Sequence, residues 1–291
     1  MAQLQRLDVA VPDSLWTGER RSESYIVELT DDDPRLQQVL RFAESLEYTT
    51  IIHGKKFTEQ DLRDSPWLAM RSAKGEGQYP KPEATYRDEI YDFSSGCRRC
   101  GIGKKQVASF KMHKLRWGRS NIMTPGWQPT DFIAKAHLYE NVFKDFDVPY
   151  REVLWSRNSK PMPEARQLRI ESTASVDASG LTTEFCQHCG RTKYNVPIFD
   201  YFPRLTEEPD RPVIRMNQWL GSGGGANQWV LVANEVYREL SSYGVRGADF
   251  VPVLERKSQQ PFVTTRRYIR YRRKSATRSW KRRVFDFFVR R

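Results

Sequence analysis

The sequence predicts an α+β fold: a mixed α/β body with two zinc knuckles sharing one four-cysteine site, followed by a basic C-terminal extension. Three observations carry this expectation. Short β-branched strand-like runs are mixed with amphipathic helical stretches through residues 1–256. The chain's four cysteines fall into two pentapeptides of one pattern, Cys97-Arg98-Arg99-Cys100-Gly101 and Cys186-Gln187-His188-Cys189-Gly190. The net charge of +12 resides in the last 35 residues: 257–291 hold 13 basic residues and one acidic residue, Asp286, whereas 1–256 hold 35 of each sign.

Of the 291 residues, 38% are hydrophobic and 12% aromatic, enough large side chains to build a core and too many aromatics for wholesale disorder. No apolar run approaches the ~18 residues that a membrane span needs. The N-terminus lacks a basic stretch followed by an apolar one, so a cytoplasmic protein is expected. Four cysteines are too few for a disulfide scaffold in a chain of this size.

Taken in order, Ser24–Leu29 alternates like a strand. Asp33 then offers an N-cap, Pro34 the first helical position, and Leu36, Val39, Leu40 and Ala43 an apolar stripe that Phe42 and Leu46 widen. The run Asp31–Asp33 reads as the acidic start of that helix rather than as a ligand cluster. Tyr48–Ile52 is β-branched and predicts a strand, and the His53 that follows reads as structural. Thr58 and Asp61 open a second short helix in a variant of the capping box. Residues 73–87, rich in Gly, Pro and Lys, read as a loop.

A C-x-x-C turn sets two sulfurs on one side of a tight loop. The glycine after it can adopt positive φ, which turns backbone N–H groups toward the thiolates. Two such turns supply four soft ligands, so Cys97, Cys100, Cys186 and Cys189 are expected to share one structural Zn²⁺ in a closed tetrahedral site. Competing readings are a redox pair, disulfides, or a separate metal for each pair with His188 or His113 as a partner. The redox reading is weakened because GIGKKQ and GRTKYN behind the knuckles are turn-like and polar. The knuckles are 85 residues apart, so a shared ion would close a long loop and staple distant parts of the domain.

The knuckles recur at an offset of 89, and a second similarity recurs at 97. Residues 131–148 and 228–245 match at Phe132/Trp229, Ile133/Val230, Ala136/Ala233, Phe143/Leu240, Phe146/Tyr243 and Val148/Val245. Each half thus reads knuckle, linker, short strand, helix, a weak internal duplication of 90–154 and 180–254. In the second copy Asn234 is expected to cap the helix, Gly244 to end it, and Phe250–Leu254 to form a strand whose Pro252 marks an edge. Gly221-Ser222-Gly223-Gly224-Gly225 lacks the Gly-Lys-Ser/Thr of a phosphate loop and reads as a mobile surface loop. Trp117, Trp127, Trp219 and Trp229 read as core and rim packing.

None of the motifs H-E-x-x-H, G-x-S-x-G or H-x-E…P-C-x-x-C occurs, which argues against an enzyme, although paired carboxylates leave little trace in a sequence. The segment 257–291 interleaves aromatics with Arg266, Arg267, Arg270, Arg272, Arg273, Lys274, Lys281, Arg282 and Arg283. Such a tail can pair with phosphates and stack on bases, or dock as an amphipathic terminus on its own body.

The paired CXXCG motifs, together with the closing pattern V-L-V-A-N-E-V-Y-R-E-L…G-V…D-F-V-P-V over 229–254, resemble the bacterial double-CXXCG-motif proteins. The closing helix and strand also resemble a wider group of bacterial immunity proteins. The resemblance covers roughly residues 90–254; the N-terminal region and the basic tail stand outside it. It implies a non-enzymatic, stoichiometric binder that neutralises a cognate toxin, with the four cysteines as zinc ligands. A nucleic-acid-binding protein that uses its basic tail, with zinc as scaffold, is the alternative reading.

Overall fold

The computed structural model describes residues 24–30, 34, 48–73, 78–197, 201–254 and 266–273; the strands 24–30, 48–56 and 266–273 are described through their backbone pairing. The helix expected from Asp33 to Leu46 and the positions Lys274, Lys281, Arg282 and Arg283 lie outside these residues.

In chain order the elements are β1 (Ser24–Thr30), β2 (Tyr48–Lys56), α1 (Glu59–Asp64), β3 (Trp67–Ser72), α2 (Tyr86–Ile90), β4 (Tyr91–Asp92), β5 (Lys105–Gln106), β6 (Lys111–Met112), β7 (Ile122–Met123) and β8 (Ile133–Lys135). There follow α3 (Ala136–Leu138), continued by a π-helical turn over Tyr139–Phe143, then β9 (Tyr150–Trp155), β10 (Pro161–Leu168), β11 (Thr173–Ala174), β12 (Thr183–Phe185) and β13 (Thr192–Tyr194). The last are β14 (Val213–Leu220), β15 (Asn227–Ala233), α4 (Asn234–Ser242), β16 (Ala248–Pro252) and β17 (Arg266–Arg273).

Two compact units result, Met1–Lys56 with Phe262–Arg291, and Phe57–Pro261. In the first unit β17 is the central strand of an antiparallel sheet ordered β1-β17-β2. Ile269 sits opposite Val27 on one side and opposite His53 on the other. Part of the basic segment is therefore a strand in register with two N-terminal strands.

The second unit holds a seven-stranded assembly, ordered β12-β13-β14-β15-β3-β16 with β11 alongside β14, and a five-stranded sheet ordered β6-β9-β10-β8-β7. The two-residue side-chain period of a strand divides the larger sheet between two cores. Leu68, Met70, Val230 and Val232 join one cluster, with Val236 and Leu240 of α4 and Leu138, Val142 and Phe143 of the α3 segment. Ala69, Trp229, Leu231 and Val251 join the other, with Phe202 and Val176. Strand β8 obeys the same rule: Phe132 and Ala134 face the first cluster, whereas Ile133 packs with Phe110, Val153 and Met162 in a third.

Several local expectations meet their residues. The Thr58 hydroxyl accepts from Asp61 N, and Asp61 returns a bond to Thr58 N, completing the capping box of α1. Gly244 follows α4 at φ 75°, and β16, which contains Pro252, is an edge strand. The two segments matched at offset 97 each hold a strand followed by a helix, β8–α3 and β15–α4.

Asn234 departs from expectation. The helix is capped by extended Ala233, and Asn234 lies inside it, donating Nδ2 to the carbonyls of Leu62 at 2.9 Å and Ser65 at 2.5 Å. Its amide ties α4 to the end of α1 because those carbonyls lack partners in their own short helix. Among the described residues no helix is long and apolar enough to cross a membrane.

Candidate metal centre

Both cysteine pairs fold into the same backbone turn. In the first, Cys97 N donates to Ile102 O and Gly101 N to Cys97 O, each at 2.8 Å; in the second, Cys186 N donates to Arg191 O and Gly190 N to Cys186 O, each at 2.9 Å. Gly101 and Gly190 take φ of 84° and 69°, the left-handed conformation that glycine adopts without penalty. Arg98, Arg99, Gln187 and His188 lie at the exposed tips.

The two turns face each other. Cys97 Sγ lies 4.0 Å from Cys186 Sγ, and Cys100 Sγ lies 3.7 Å from Cys189 Sγ. All four sulfurs fall within 4.8 Å of one another. A disulfide requires about 2.05 Å, so the four cysteines are free thiols. Four sulfurs around an ion at ~2.3 Å would stand roughly 3.8 Å apart, close to the two opposed distances. The cluster could therefore hold one metal ion. Neither His188 nor His113 joins it; His113 Nδ1 instead lies 2.8 Å from Ser156 Oγ.

Polar groups around the sulfurs tune their protonation. Burial opposes ionisation of Cys97, but the backbone N–H groups of Cys100 and Arg99 bring its thiol below the ordinary value. Burial pushes Cys100 up to about 12. Burial also opposes ionisation of Cys189, yet the N–H and guanidinium of Arg191 and the neighbouring thiols bring it down to about 6.

The supporting shell was largely invisible to sequence reasoning. The glycine run is a surface loop, exposed from Ser222 to Gly225, and forms the turn between β14 and β15; beside it Ala226 N donates to Cys100 O at 3.1 Å. A side chain on Gly101 would meet Gly224 O at 3.0 Å, so the knuckle seats directly on that turn. On the other side, fully buried Lys193 bonds Gly223 O and pairs with Glu184 at 3.0 Å. Arg191 Nη1 reaches across to Ser95 O at 3.2 Å. The apolar lining comes from Ile102, Ala226 and Trp219. The legible part of this signal was a glycine run between two strand-like stretches.

Behind the first knuckle lies a polar network. Lys104 Nζ donates to Asn227 Oδ1 at 2.7 Å and Gln128 Oε1 at 2.9 Å, and burial lowers its pKa to about 8. Buried Asp131 accepts from Tyr91 Oη at 2.7 Å and Arg215 Nη2 at 2.8 Å. The tryptophans divide as follows: Trp229 is buried, Trp219 lines the knuckles, Trp117 lies under the Lys135 ammonium, and Trp127 is 55% exposed at φ 62°.

The chain matches no protein-family model, no curated protein and no solved structure. The geometry of the cluster and its surroundings therefore carries the functional reading.

Of the basic positions singled out in the sequence, Arg266, Arg267, Arg270, Arg272 and Arg273 share strand β17, where Arg266 pairs with Lys56 and Arg267 with Lys55.

Proposed function

We propose that this chain is a zinc-stapled, non-catalytic binding protein. Cys97, Cys100, Cys186 and Cys189 would hold one Zn²⁺, and the partner would be another protein, by its resemblance to double-CXXCG immunity proteins a toxin. The observation that carries the metal reading is the opposition of two knuckles with the same backbone turn, whose paired sulfurs stand 3.7 and 4.0 Å apart. Four thiolates are soft ligands suited to zinc, and they leave no position for a substrate or an activated water. Bound there, the ion would supply cross-linking between sequence-distant turns, not Lewis-acid chemistry at an open site.

The decisive experiment measures metal content and partner binding together. Protein purified without added metal should carry about one zinc per chain. It should bind the toxin encoded beside it through a packed interface, with little loss as salt rises. Zinc-free protein with freely reactive thiols would end the metal reading, and failure to bind or protect against that toxin would end the immunity reading.

A second reading, nucleic-acid binding, is favoured by one observation: five arginines share β17, in register with Lys55 and Lys56. Deleting 257–291 would remove the central strand of the first unit's sheet, so that test confounds folding with charge. Replacing Arg266, Arg270 and Arg272 with Gln is cleaner. Binding to a labelled oligonucleotide that weakens steeply with salt in the parent, and with a shallower slope in the variant, would support this reading.

A further inference from the structure

The two halves of the cysteine cluster are held very differently. The first knuckle is embedded: Cys97 and Cys100 are buried, and Gly101 is wedged against the β14–β15 turn. The second stands at the tip of a short hairpin, with β12 before it and β13 after it. Its cysteines are half-buried, Phe185 beside it is 62% exposed, and nothing approaches the position of a Cβ on Gly190.

The hairpin is also weakly joined to the body. Among the described residues β13 meets β14 at the register pair Tyr194↔Leu220, while β14, β15, β3 and β16 pair along most of their lengths. At its base Tyr194 packs against the second core and accepts from Gly221 N at 2.9 Å; the ties nearer the knuckle are polar: Lys193 to Gly223 O, Gly223 N to Glu184 Oε2 at 3.4 Å, and Arg191 to Ser95 O. The Arg191 and Glu184 ties are at the surface, where water competes for both partners and each contributes little; Lys193, whose side chain is fully buried, is the hairpin's one buried polar anchor among the described residues. Four metal–sulfur bonds would outweigh all of them.

We propose that residues 183–194 form a metal-latched flap: with the ion bound, the hairpin closes over the first knuckle, and without it the hairpin lifts as a unit while the body stays folded. This rests on the reading of the four cysteines as a metal site. Lifting would bare Cys97, Cys100, Ile102, Ala226 and one side of Trp219, the apolar lining that the flap covers. The body would remain folded because its two main cores take their buried residues from outside the hairpin, Tyr194 at the hairpin's base alone packing against the edge of one of them. Local opening below the global unfolding free energy is the behaviour expected of a unit with few buried contacts.

Hydrogen exchange read by mass spectrometry tests this on the full chain. Zinc content is measured first; the loaded protein is then compared with protein stripped by EDTA and with stripped protein given back zinc alone. Stripping should accelerate exchange over residues 183–194 by about tenfold or more. Residues 213–220 and 227–233 should keep their protection, and zinc should restore the flap. Exchange that rises across the whole seven-stranded sheet, or nowhere, overturns the latch while leaving metal binding intact. A chain that binds no ion overturns both.

Discussion

The guanidinium of Arg191 donates to the backbone carbonyl of Ser95 at 3.2 Å, joining a residue just past the second cysteine knuckle to one just before the first. Arg191 also faces Cys189, so one side chain both orients a sulfur and straps the two turns together. Outer-shell groups of this kind typically alter metal affinity by about 10–100-fold. Arg191→Ala should leave the circular dichroism of the fold intact and weaken zinc affinity in a competition with a chromogenic chelator. Arg191→Lys should recover only part of the loss, since an ammonium cannot serve both partners with one planar fork.

The two knuckle glycines should respond unequally to alanine. Both have positive φ, so each substitution costs about 1 kcal/mol of backbone strain. Only Gly101 also meets backbone atoms, Gly224 O at 3.0 Å and Ala226 N at 3.2 Å, whereas Gly190 has open space. Thermal unfolding should therefore show a clearly larger drop in Tm for Gly101→Ala than for Gly190→Ala. Equal drops would mean that the β14–β15 turn does not seat the first knuckle.

Asn234 should tolerate a carboxylate worse than a truncation. Its Nδ2 serves the carbonyls of Leu62 and Ser65. Removing those bonds in Asn234→Ala should cost roughly 1–3 kcal/mol in urea unfolding. Asn234→Asp puts an acceptor against two acceptors, and should be the less stable of the two variants at pH 7.

Lys104 makes stability depend on alkaline pH. Burial lowers its folded-state pKa to about 8, against about 10.4 in an unfolded chain. Between these values the unfolded chain holds a proton that the folded protein has shed, so stability rises with pH across that window. Below pH 8 both states are charged and the full cost of the buried ammonium remains. In Lys104→Gln this rise should be absent, and a plot of the Tm difference between the two proteins over pH 7–10.5 reads it directly.

The knuckles were legible because their chemistry is local. Cys97 to Gly101 and Cys186 to Gly190 each carry the ligand pair and the turn residue within five positions, and an even set of thiols implied convergence. The capping box of Thr58 and Asp61 was legible for the same reason.

What stayed hidden depends on distant partners. The run Arg266–Arg273 reads as part of a basic tail that binds polyanions or docks as an amphipathic terminus, yet it is a strand because Ser24–Thr30 and Tyr48–Lys56 offer it two edges. Asn234 has the residue type of a cap, but carbonyls at Leu62 and Ser65 claim its amide. The glycine run gives no sign in the sequence that Cys100 bonds the Ala226 that follows it or that Lys193 bonds Gly223 within it.

Strand β3 lies between β15 and β16, so Trp67–Ser72 is flanked by segments made some 160 residues later. A ribosome-bound chain that ends before Asn227 therefore carries the apolar side chains of Leu68, Ala69 and Met70 with neither neighbour yet synthesised. Pairing at such separation is slow, because loop closure must precede any gain from contact. The interval between translation of β3 and its enclosure is thus one in which exposed apolar side chains put the nascent chain at risk of aggregation.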